Sequence, residues 1–348
     1  MGTGGYQPDI PCGNNGQSLR YRIRVRRMAD VSKIECIDLF GGIGGFRKGL
    51  SMADPDFDFT YYADIDKFAC AVYNHNFHET WKPTDIRSVR ADDIPDHRLL
   101  CAGNPCQGFS RAGFQRGFDD PRGQLFFEVE RIIRAKQPEY IFLENVAGLL
   151  SNDRGRTFAK VIDTLRDCGY VGSWCCINSA AFLPQTRKRV YIVARLGDEP
   201  SRALLPFADS NGEPYPPCRE TPGERERLWD YPTNTLQSRD GKGGAMQYVV
   251  QPKPGTDPRP TSHRPTEFTL TSTGTHTTLI ADDGEYIVRR LTPLEYERLQ
   301  GFPDNWTQFG EFPNGTRAIS KSRRYQLVGN SVTVPVITAI GNEIAKEM

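Results

Sequence analysis

The sequence predicts an α/β fold: a doubly wound, mostly parallel sheet, accompanied by a smaller domain rich in loops and strands. Short apolar runs alternate with helical patterns over residues 34–196, which is the order of parallel strands joined by helices. A glycine-rich turn follows the first run directly. Polar loops follow several later runs, and they therefore fall at the carboxyl edge of the sheet, where open α/β folds bind ligands.

The composition limits the classes of protein to which this chain can belong. With 348 residues and 38% hydrophobic content, the chain can form one large domain or two of ordinary size. Apolar runs are too short to span a membrane, and the glycine-rich, basic N-terminus is unlike a signal peptide. The nine cysteines show no zinc-binding spacing and suit a reducing compartment. We therefore expect a cytoplasmic protein without membrane contacts. Because the net charge is only +1, a polyanion would have to bind a local basic patch.

Residues 1–33 precede the first predicted strand and are read in two ways. Glycine and asparagine come first, and arginines then alternate with other residues from Arg20 to Arg27. This segment either forms a basic strand or arm that lies on phosphates, or it is a disordered extension ahead of the folded region.

The first predicted strand leads into a turn typical of nucleotide-cofactor sites. The apolar run Ile34–Phe40 continues into Gly41-Gly-Ile-Gly-Gly45, and a helical pattern follows to about Met52. Glycines at this point allow the backbone to approach a ligand at the start of a helix. The turn departs from the dinucleotide pattern, because Arg47 occupies the last glycine position.

Carboxylates are predicted at the ends of the next two strands. A strand over Phe57–Ala63 ends at Asp64, where a carboxylate would meet ribose hydroxyls. Asp85 and Ile86 are expected at the following strand end, where the carboxylate would face an adenine amino group.

A candidate nucleophile follows the strand predicted over His97–Ala102. Cys106 lies in Gly103-Asn-Pro-Cys-Gln-Gly-Phe-Ser110, at the start of a loop, whereas Cys101 is expected inside the strand as a structural cysteine. Free cysteines are commonly small buried hydrophobic residues, so the local context leaves both roles open for Cys106. Residues 109–122 predict a mobile loop, and a helix is expected from Gly123 to Lys136.

The next elements bring a carboxylate and two arginines to the same edge. A strand over Tyr140–Leu143 ends in Glu144-Asn-Val146, and Pro184-Gln-Thr-Arg-Lys-Arg189 precedes a later strand. Glu144 is either a functional acid or the cap of a following helix, and Arg187 and Arg189 are either functional or a solvated basic turn. The remaining predicted elements are a helix over Gly155–Cys168 and strands over Gly172–Ile177 and Arg189–Ala194.

The residue composition changes from about Gly197. Residues 197–288 are rich in proline, threonine, serine and glycine, which indicates a loop-rich domain or a linker. Short β-like runs favour the domain: Gln247–Val250, Phe268–Thr271 and Thr277–Ile280. Helical order returns at Thr292, where Pro293 and Glu295 predict a capping box. Gly329-Asn-Ser-Val-Thr-Val-Pro-Val336 then precedes a terminal amphipathic helix.

These motifs together resemble the DNA (cytosine-5)-methyltransferases, in particular the bacterial single-chain type of restriction–modification systems. The matching stretches are Asp38-Leu-Phe-Gly-Gly-Ile-Gly-Gly-Phe46, Gly103–Ser110, Glu144-Asn-Val146, Gln185-Thr-Arg-Lys-Arg189, Arg290-Leu-Thr-Pro-Leu-Glu295 with Gln300-Gly-Phe-Pro303, and Gly329-Asn-Ser-Val332. They cover residues 34–196 and 289–348. The resemblance implies a catalytic, cofactor-binding domain of residues 34–196 plus 325–348, a target-recognition domain of 197–288, and a hinge and helix segment of 289–324.

The resemblance assigns catalytic roles that the chemistry also requires. Carbon 5 of cytosine is a poor nucleophile, and addition of the Cys106 thiolate to carbon 6 makes it electron-rich. Glu144 would then donate a proton to ring nitrogen 3, Arg189 would bind the carbonyl oxygen, and Arg187 would orient Glu144 and the base. The implied methyl donor is S-adenosylmethionine, with S-adenosylhomocysteine as product and no metal. Its implied contacts are Phe40, Gly42, Gly44, Asp64, Ile65, Asp85, Ile86, Pro105, Asn330 and Ser331.

The implied partner is double-stranded DNA, from which the target base must be flipped out. Implied DNA contacts are Gln107, Ser110, Arg111 and a Thr-Leu pair, for which Thr269-Leu270 is preferred over Thr235-Leu236. Base readout is expected in 197–288, and phosphate contacts at Arg111, Arg116, Arg323 and Arg324. We expect a bacterial or phage-encoded monomer that acts on the nucleoid, with a separately acting cognate endonuclease left open. The alternatives are a tRNA cytosine-5 methyltransferase, whose variable region is usually shorter, and a non-catalytic DNA-binding relative, which would be expected to lack Cys106 or Glu144.

Overall fold

The computed structural model describes residues 33–104, 125–185, 187–197, 205 and 291–348, together with the backbone of five strands between residues 236 and 290. A six-stranded sheet runs in the order β2-β1-β3-β4-β6-β5. Its strands are β1 (Ile34–Leu39), β2 (Phe57–Ala63), β3 (Leu99–Ala102), β4 (Tyr140–Val146), β5 (Tyr170–Asn178) and β6 (Lys188–Leu196). The predicted fold class is confirmed.

The sheet is parallel at one end and antiparallel at the other. β1 pairs in parallel with β2 and β3, and β3 pairs in parallel with β4. β6 runs antiparallel to both β4 and β5. The polar residues after β1, β2, β3 and β4 therefore share one edge, and the start of β6 is brought to that same edge.

Helices cover both faces of the sheet. Successive side chains of a strand point to opposite faces, and both faces carry apolar side chains. Ile37 and Leu39 point to the face packed against α3 (Leu125–Lys136) and α4 (Arg156–Asp167). Cys36 points to the opposite face, which packs against α1 (Gly45–Ala53) and α7 (Val334–Ala345). The last helix thus belongs to the same core as the first strand.

The segment before α7 forms a third apolar cluster around Trp306 and Phe302. This segment contains α5 (Pro293–Leu299), the hairpin of β12 (Phe309–Phe312) and β13 (Gly315–Ala318), and α6 (Lys321–Asn330). The cluster also includes side chains of α2 (Lys67–Phe77). The predicted capping box of α5 is present: Thr292 Oγ1 accepts from the Glu295 amide, and Glu295 Oε2 accepts from the Thr292 amide. The hairpin was not predicted, because its strands are too short to produce a periodic pattern.

A five-stranded antiparallel sheet, in the order β7-β8-β11-β10-β9, occupies the region predicted as loop-rich. Its strands are β7 (Leu236–Arg239), β8 (Ala245–Pro252), β9 (Thr269–Thr273), β10 (His276–Ala281) and β11 (Gly284–Arg290). The three β-like runs of the sequence fall within β8, β9 and β10, except that Phe268 lies outside the described residues. The division into catalytic and target-recognition domains stays a prediction.

One predicted strand end is wrong. Asp85 does not end a strand; it caps a short 3₁₀ helix, Ile86–Ser88, by accepting a hydrogen bond from the Arg87 amide. The preceding residues after α2 form an irregular connection, whose trace is fixed by side-chain bonds such as that from Asn74 Nδ2 to the Trp81 carbonyl. Among the described residues, no helix has the length and apolarity that crossing a membrane requires.

Candidate active site

The glycine turn after β1 has a backbone that only small residues tolerate. Gly44 lies at φ 84°, and a Cβ on it would come within 2.3 Å of the Phe77 ring. A Cβ on Gly41 would lie 2.7 Å from the Asp38 carboxylate. By contrast, a Cβ on Gly42 would meet no atom of the described residues within 4 Å apart from its chain neighbours, so this part of the structure leaves space at Gly42. The turn is therefore tight on its protein side and open where a ligand would approach.

Asp64 is tied directly to this turn. Its Oδ2 accepts a hydrogen bond from the Gly42 amide at 2.9 Å, and its Oδ1 accepts from the Asp66 amide at 2.8 Å. Tyr62 Oη donates to the Gly42 carbonyl at 2.8 Å. Burial raises the pKa of Asp64, although these amide bonds favour its charged form. The sequence-predicted pair of glycine turn and carboxylate is thus brought together.

Apolar and acidic side chains surround this corner. Ile65 is 66% exposed although it is aliphatic, and Phe40 is partly buried at φ 56°. The Thr84 amide donates to the Asp64 carbonyl at 2.7 Å, which brings Asp85 next to the turn. The Asp85 carboxylate forms an ion pair with Arg87, and the hydrogen bonds from Arg87 lower the pKa of Asp85.

Arg47, the residue that departs from the dinucleotide pattern, has a packing role. Its guanidinium lies 4.4 Å from the centroid of Phe77 and donates to Glu79 Oε1 at 2.8 Å. It therefore joins α1 to the C-terminal end of α2 and takes no part in the open side of the turn.

The C-terminal segment lies against the same turn. A Cβ on Gly45 would lie 2.6 Å from Val332 Cγ2 and 2.7 Å from Ser331 Oγ, so residues 331–332 pack directly on the first turn of α1. Ser331 is buried and Asn330 is exposed. Ser331 therefore lies against the glycine turn, and Asn330 directly precedes it in the chain.

Glu144 and Arg189 form an ion pair at the edge of the sheet. Glu144 is directly opposite Tyr191 in the antiparallel ladder, and Arg189 is two residues earlier on the same face. Arg189 Nε lies 3.1 Å from Glu144 Oε1, and the Glu144 side chain is 11% exposed. A Cβ on Gly103, three residues before Cys106, would lie 3.9 Å from Glu144 Oε2. The chain that leads to the candidate nucleophile therefore passes beside the carboxylate.

The electrostatics of this edge shift Glu144 toward its protonated form. Burial raises the pKa of Glu144, while the nearby Arg189 and Arg187 charges oppose that shift without cancelling it. Oε1 of Glu144 accepts no hydrogen bond from any described residue. A buried carboxyl group with a raised pKa and few bonds can share its proton with an incoming base.

Arg187 is placed differently from the prediction that it orients Glu144. Its Nη1 donates to the Gly329 carbonyl at 3.1 Å, and its Nη2 donates to the Ser331 carbonyl at 2.7 Å. Burial and the like charge of Arg189 lower the pKa of Arg187 to about 10. Its terminal nitrogens thus hold the C-terminal segment, and its effect on Glu144 is that of a nearby charge.

Several predicted residues lie outside the described part of the chain. Residues 105–124 include the candidate nucleophile and the predicted mobile loop, with Pro105, Cys106, Gln107, Ser110, Arg111 and Arg116. Thr269 and Leu270 begin strand β9, and Leu236 begins β7, but only their backbones are described. The choice between the two Thr-Leu pairs stays a prediction.

The predicted phosphate contact at Arg324 is wrong. Its guanidinium points inward, donates to Glu297 Oε1 at 2.9 Å and to Thr307 Oγ1 at 3.0 Å, and is largely buried. Arg323 is more exposed and lies 3.5 Å from Asp66 Oδ2 and 4.5 Å from the Phe68 ring centroid. Adjacent arginines on a helix point in different directions, which a basic pair in a sequence does not reveal.

Sequence reasoning missed two tyrosines at this edge. Tyr62 bonds the glycine turn, and the fully buried Tyr191 hydroxyl lies beside Glu144 without a hydrogen-bond partner among the described residues. The available signal was strand alternation, since Tyr191 is two residues after Arg189 and so shares its face.

The fold and this edge define an α/β protein with a ligand-binding glycine turn beside a protonatable carboxyl–arginine pair. The family described as "C-5 cytosine-specific DNA methylase" matches residues 34–346. The chain is 35% identical over 326 residues to Type II methyltransferase M.NlaX of Neisseria lactamica, covering 88% of this chain and 95% of the relative. It is 33% identical over 341 residues to M.HpaII of Haemophilus parainfluenzae, covering 91% and 90% respectively.

The chain therefore belongs to the C-5 cytosine-specific DNA methylases, as its motifs predicted. It is an enzyme that methylates cytosine in DNA. Among solved structures, the Entamoeba histolytica methyltransferase EhMeth aligns with a TM-score of 0.60 at 20% identity, over 90% of this chain and 98% of that one. The S. pombe Dnmt2 methyltransferase aligns with a TM-score of 0.57 at 22% identity, over 90% of this chain and 99% of that one. Both likenesses support the fold.

Membership implies S-adenosylmethionine as methyl donor, and the residues present fit that group. The open space at Gly42, the exposed Ile65 and the Asp64 carboxylate form a cradle of the required polarity. Beneath the turn, both oxygens of the fully buried Asp38 lack a hydrogen-bond partner among the described residues, and burial raises the pKa of this group well above its usual range. A positively charged ligand above it would be favoured if that carboxyl group ionised.

Proposed function

We propose that this chain methylates carbon 5 of cytosine within a specific sequence of double-stranded DNA, through a covalent bond between Cys106 and the base. The observation that carries the proposal is the Glu144–Arg189 pair beside Gly103, within a chain that matches the family over residues 34–346. Glu144 can donate a proton, and Arg189 carries a positive charge that can bind a developing oxyanion. Both lie close to the strand that precedes Cys106.

The thiolate of Cys106 would add to carbon 6 of the ring and push electron density toward nitrogen 3 and carbon 5. S-adenosylmethionine, when bound, would supply the methyl group that the electron-rich carbon 5 accepts, and S-adenosylhomocysteine would be the leaving group. Loss of the proton from carbon 5 lets the thiolate leave and restores the ring double bond. A thiol reacts in this way only as its thiolate, a form that nearby positive charge favours.

Glu144 would serve as the proton donor to nitrogen 3. Its raised pKa keeps the proton available, and its other oxygen can accept from the exocyclic amine. Thymine lacks that amine and carries a proton on nitrogen 3, so the same carboxyl group selects cytosine. Arg189 would bind the carbonyl oxygen, where negative charge increases during addition.

The cofactor contacts extend the same proposal. Asp64 would accept hydrogen bonds from the ribose hydroxyls, and Phe40 with Ile65 would contact the adenine. Gly42 and Gly44 would line the methionine portion, Asp85 would meet the adenine amino group, and Asn330 and Ser331 would close the site. The Asp85 contact requires its carboxylate to bind the amine while still paired with Arg87.

Base flipping is part of the proposal because the target atom is stacked inside the duplex. Extrusion costs roughly a few kcal/mol, which contacts from residues 107–122 and 197–288 would offset. Thr269-Leu270 would support the flipped nucleotide. We infer a monomer that acts on the bacterial nucleoid, with any cognate endonuclease acting as a separate protein.

The experiment is covalent trapping on DNA that contains 5-fluorocytosine. Fluorine cannot leave as a proton does, so an adduct that resists denaturant should accumulate in the presence of S-adenosylmethionine. Cys106→Ala should abolish the adduct, and Cys175→Ala, a half-buried thiol on β5, should retain it. An adduct that survives in the Cys106 variant would overturn the assignment.

Bisulfite sequencing of DNA from cells that express the chain would report the recognised sequence. Methylation at one short motif supports the proposal. Methylation of tRNA in the same cells without methylated DNA would favour the RNA-directed alternative, and no methylation of either would favour a binding module.

A further inference from the structure

A buried chain of hydrogen bonds connects three segments that are far apart in sequence. Ser179 Oγ lies 2.8 Å from Thr333 Oγ1, and Thr333 Oγ1 donates to Gln300 Oε1 at 3.0 Å. Gln300 Nε2 continues the chain by donating to the Val328 carbonyl at 3.3 Å. The three polar side chains are at most 3% exposed. Burying a polar group at this depth costs free energy unless the group is hydrogen-bonded. Each member of this hydrogen-bond chain therefore depends on its neighbours.

The direction of the chain follows from its last link. Because the amide nitrogen of Gln300 faces the Val328 carbonyl, its oxygen faces Thr333 and can only accept. The single hydroxyl proton of Thr333 therefore points to Gln300. Ser179 must then be the donor to Thr333, so each hydroxyl proton has one defined acceptor.

Thr333 is diverted from the role that its position favours. It is the N-cap residue of α7, with extended φ and ψ of −82° and 110°, and threonine at this position usually accepts from an amide in the first turn. Its side chain makes no capping hydrogen bond. The hydroxyl instead serves the contact between segments, at the expense of local helix stability.

The segments joined here carry residues of the proposed active site. The Ser179 amide donates to the Arg187 carbonyl at 2.9 Å, and Asn178 Oδ1 accepts from the Arg187 amide at 3.0 Å. Thr333 is two residues after Ser331, which packs on the first turn of α1. The chain thus connects the loop before Arg189 to the segment that lies against the glycine turn.

We propose that Thr333 is a positioning residue that keeps the base-binding arginine loop and the cofactor-closing segment in one fixed relation. This inference rests on the proposed function. The Arg187 guanidinium links the same two segments from the solvent side through the Gly329 and Ser331 carbonyls. The hydroxyl of Thr333 supplies the inner link, and the loss of either should loosen cofactor binding and turnover together.

The principal variant is Thr333→Val, which keeps the shape and removes the hydroxyl. Ser179 Oγ then loses its acceptor and Gln300 Oε1 its donor inside the core. We expect S-adenosylhomocysteine binding by calorimetry to weaken about tenfold, on the order of one buried hydrogen bond, with a fall in kcat of similar size. Binding of target DNA without cofactor should be unchanged. Thr333→Ser keeps the hydroxyl and should restore most of both quantities.

Thr307→Val is the matched control. Thr307 is also fully buried, and its hydroxyl bonds Glu297 and Arg324, neither of which belongs to the two linked segments. This variant should lower the melting temperature while leaving cofactor affinity and kcat unchanged well below that temperature. If Thr307→Val weakens the cofactor as much as Thr333→Val, the effect is general loosening and the proposal is wrong.

Hydrogen–deuterium exchange on the free protein supplies a readout that needs neither ligand nor activity. Thr333→Val should accelerate exchange in 329–337 and 179–185 together, and Thr307→Val should accelerate neither. Should Thr333→Val fail to fold, Ser179→Ala removes only the first donor and should show the same paired change at smaller size. Exchange that changes in one segment alone overturns the proposal.

The wild-type assay separates this inference from the proposed function. Without methylation or trapping by the wild-type protein, the proposed function fails, while the exchange experiment still reports on the link. Normal wild-type methylation with unaltered cofactor affinity in Thr333→Val refutes the positioning role alone.

Discussion

Two buried glutamates in this chain are each paired with an arginine, yet their surroundings differ. Glu297 is 0% exposed, and its Oε1 accepts from Arg324, from the Thr307 amide at 2.8 Å and from the Thr307 hydroxyl, whereas its Oε2 has no hydrogen-bond partner among the described residues. Glu144 has one ion-pair contact at Oε1, with Arg189, and accepts no hydrogen bond there from the described residues. Burial also raises the pKa of Glu144.

The difference separates a structural carboxylate from a chemically available one. Glu297 is bonded by groups of its own fold, which stabilise its charge and fix its position. Glu144 lies at the sheet edge with few bonds, so a substrate can supply the partners that the protein does not. A buried acid is therefore better judged by the number of hydrogen bonds that its carboxyl group accepts from the protein than by its depth.

The largest expected effect is on stability at the bonded pair. Arg324→Ala leaves the Glu297 carboxylate buried without its counter-charge, and should lower the free energy of unfolding by about 3–5 kcal/mol. Urea unfolding would measure it. Arg323→Ala is the matched control on the same helix, because its exposed contact with Asp66 is worth about 0–1 kcal/mol.

The double variant sharpens this test. Adding Glu297→Gln to Arg324→Ala removes the uncompensated charge, and stability should partly return. If the double variant is as unstable as the sum of the two single variants, the pair is not coupled and the comparison between the two glutamates fails.

The second effect is on turnover. Glu144→Gln keeps the size but removes the proton donor to nitrogen 3, and should lower kcat by about 100- to 1,000-fold with little change in DNA affinity. Glu297→Gln should leave kcat unchanged at a temperature well below its melting point. Equal losses of kcat and DNA affinity in Glu144→Gln would indicate a structural role for that carboxylate.

The third effect is a pH dependence of stability. The folded pKa of Glu144 is raised above its ordinary value of 4.5, so the unfolded chain releases this proton at lower pH than the folded protein does. The stability that Glu144 contributes is then fully present below 4.5 and is lost as pH rises toward the folded pKa. Glutamine does not titrate, so the stability of Glu144→Gln relative to wild type should increase over that window.

Denaturant unfolding of both proteins at several pH values would check this sign. Asp85→Asn serves as the control of opposite sign, because Arg87 lowers the pKa of Asp85 and its contribution is lost as pH falls. A flat difference between Glu144→Gln and wild type across the window would mean that burial does not disfavour the charged form.

The succession of strands and helices along the chain and the glycine turn could be predicted from the sequence because both depend on local patterns. Runs such as Ile34–Leu39 are mostly apolar, and glycines at 41 and 44 mark positions where a Cβ would collide. The antiparallel placement of β6 and the hairpin β12–β13 could not be predicted, since they depend on contacts between distant residues. Asp85 was misplaced although its own bonds are local: it caps a 3₁₀ helix by accepting from the Arg87 amide, and the bond that brings it to the turn is that of its neighbour Thr84 with the Asp64 carbonyl.

The candidate site was predictable in its residue types and less so in its bonds. The motifs identified Glu144 and Arg189, and the structure pairs them. They gave no indication that Arg187 donates to the Gly329 and Ser331 carbonyls, or that Arg324 points inward. Motif spacing fixes which side chains reach an edge of the sheet, whereas hydrogen-bond partners depend on the packing of segments that are remote in sequence.

The smallest expected effect tests whether the surroundings of Glu144 are under-bonded as a whole. Tyr191 is fully buried opposite Glu144, and its hydroxyl has no partner among the described residues. Removing an unbonded buried hydroxyl relieves a desolvation penalty, so Tyr191→Phe should leave stability unchanged or raise it by up to about 1 kcal/mol. Tyr62→Phe is the matched control, because the equally buried Tyr62 hydroxyl donates to the Gly42 carbonyl at 2.8 Å. Loss of that bond should lower stability by about 0.5–1.5 kcal/mol and weaken cofactor binding at the turn. If Tyr191→Phe is as destabilising as Tyr62→Phe, the hydroxyl beside Glu144 has a partner of its own, and the contrast with Glu297 is smaller than proposed.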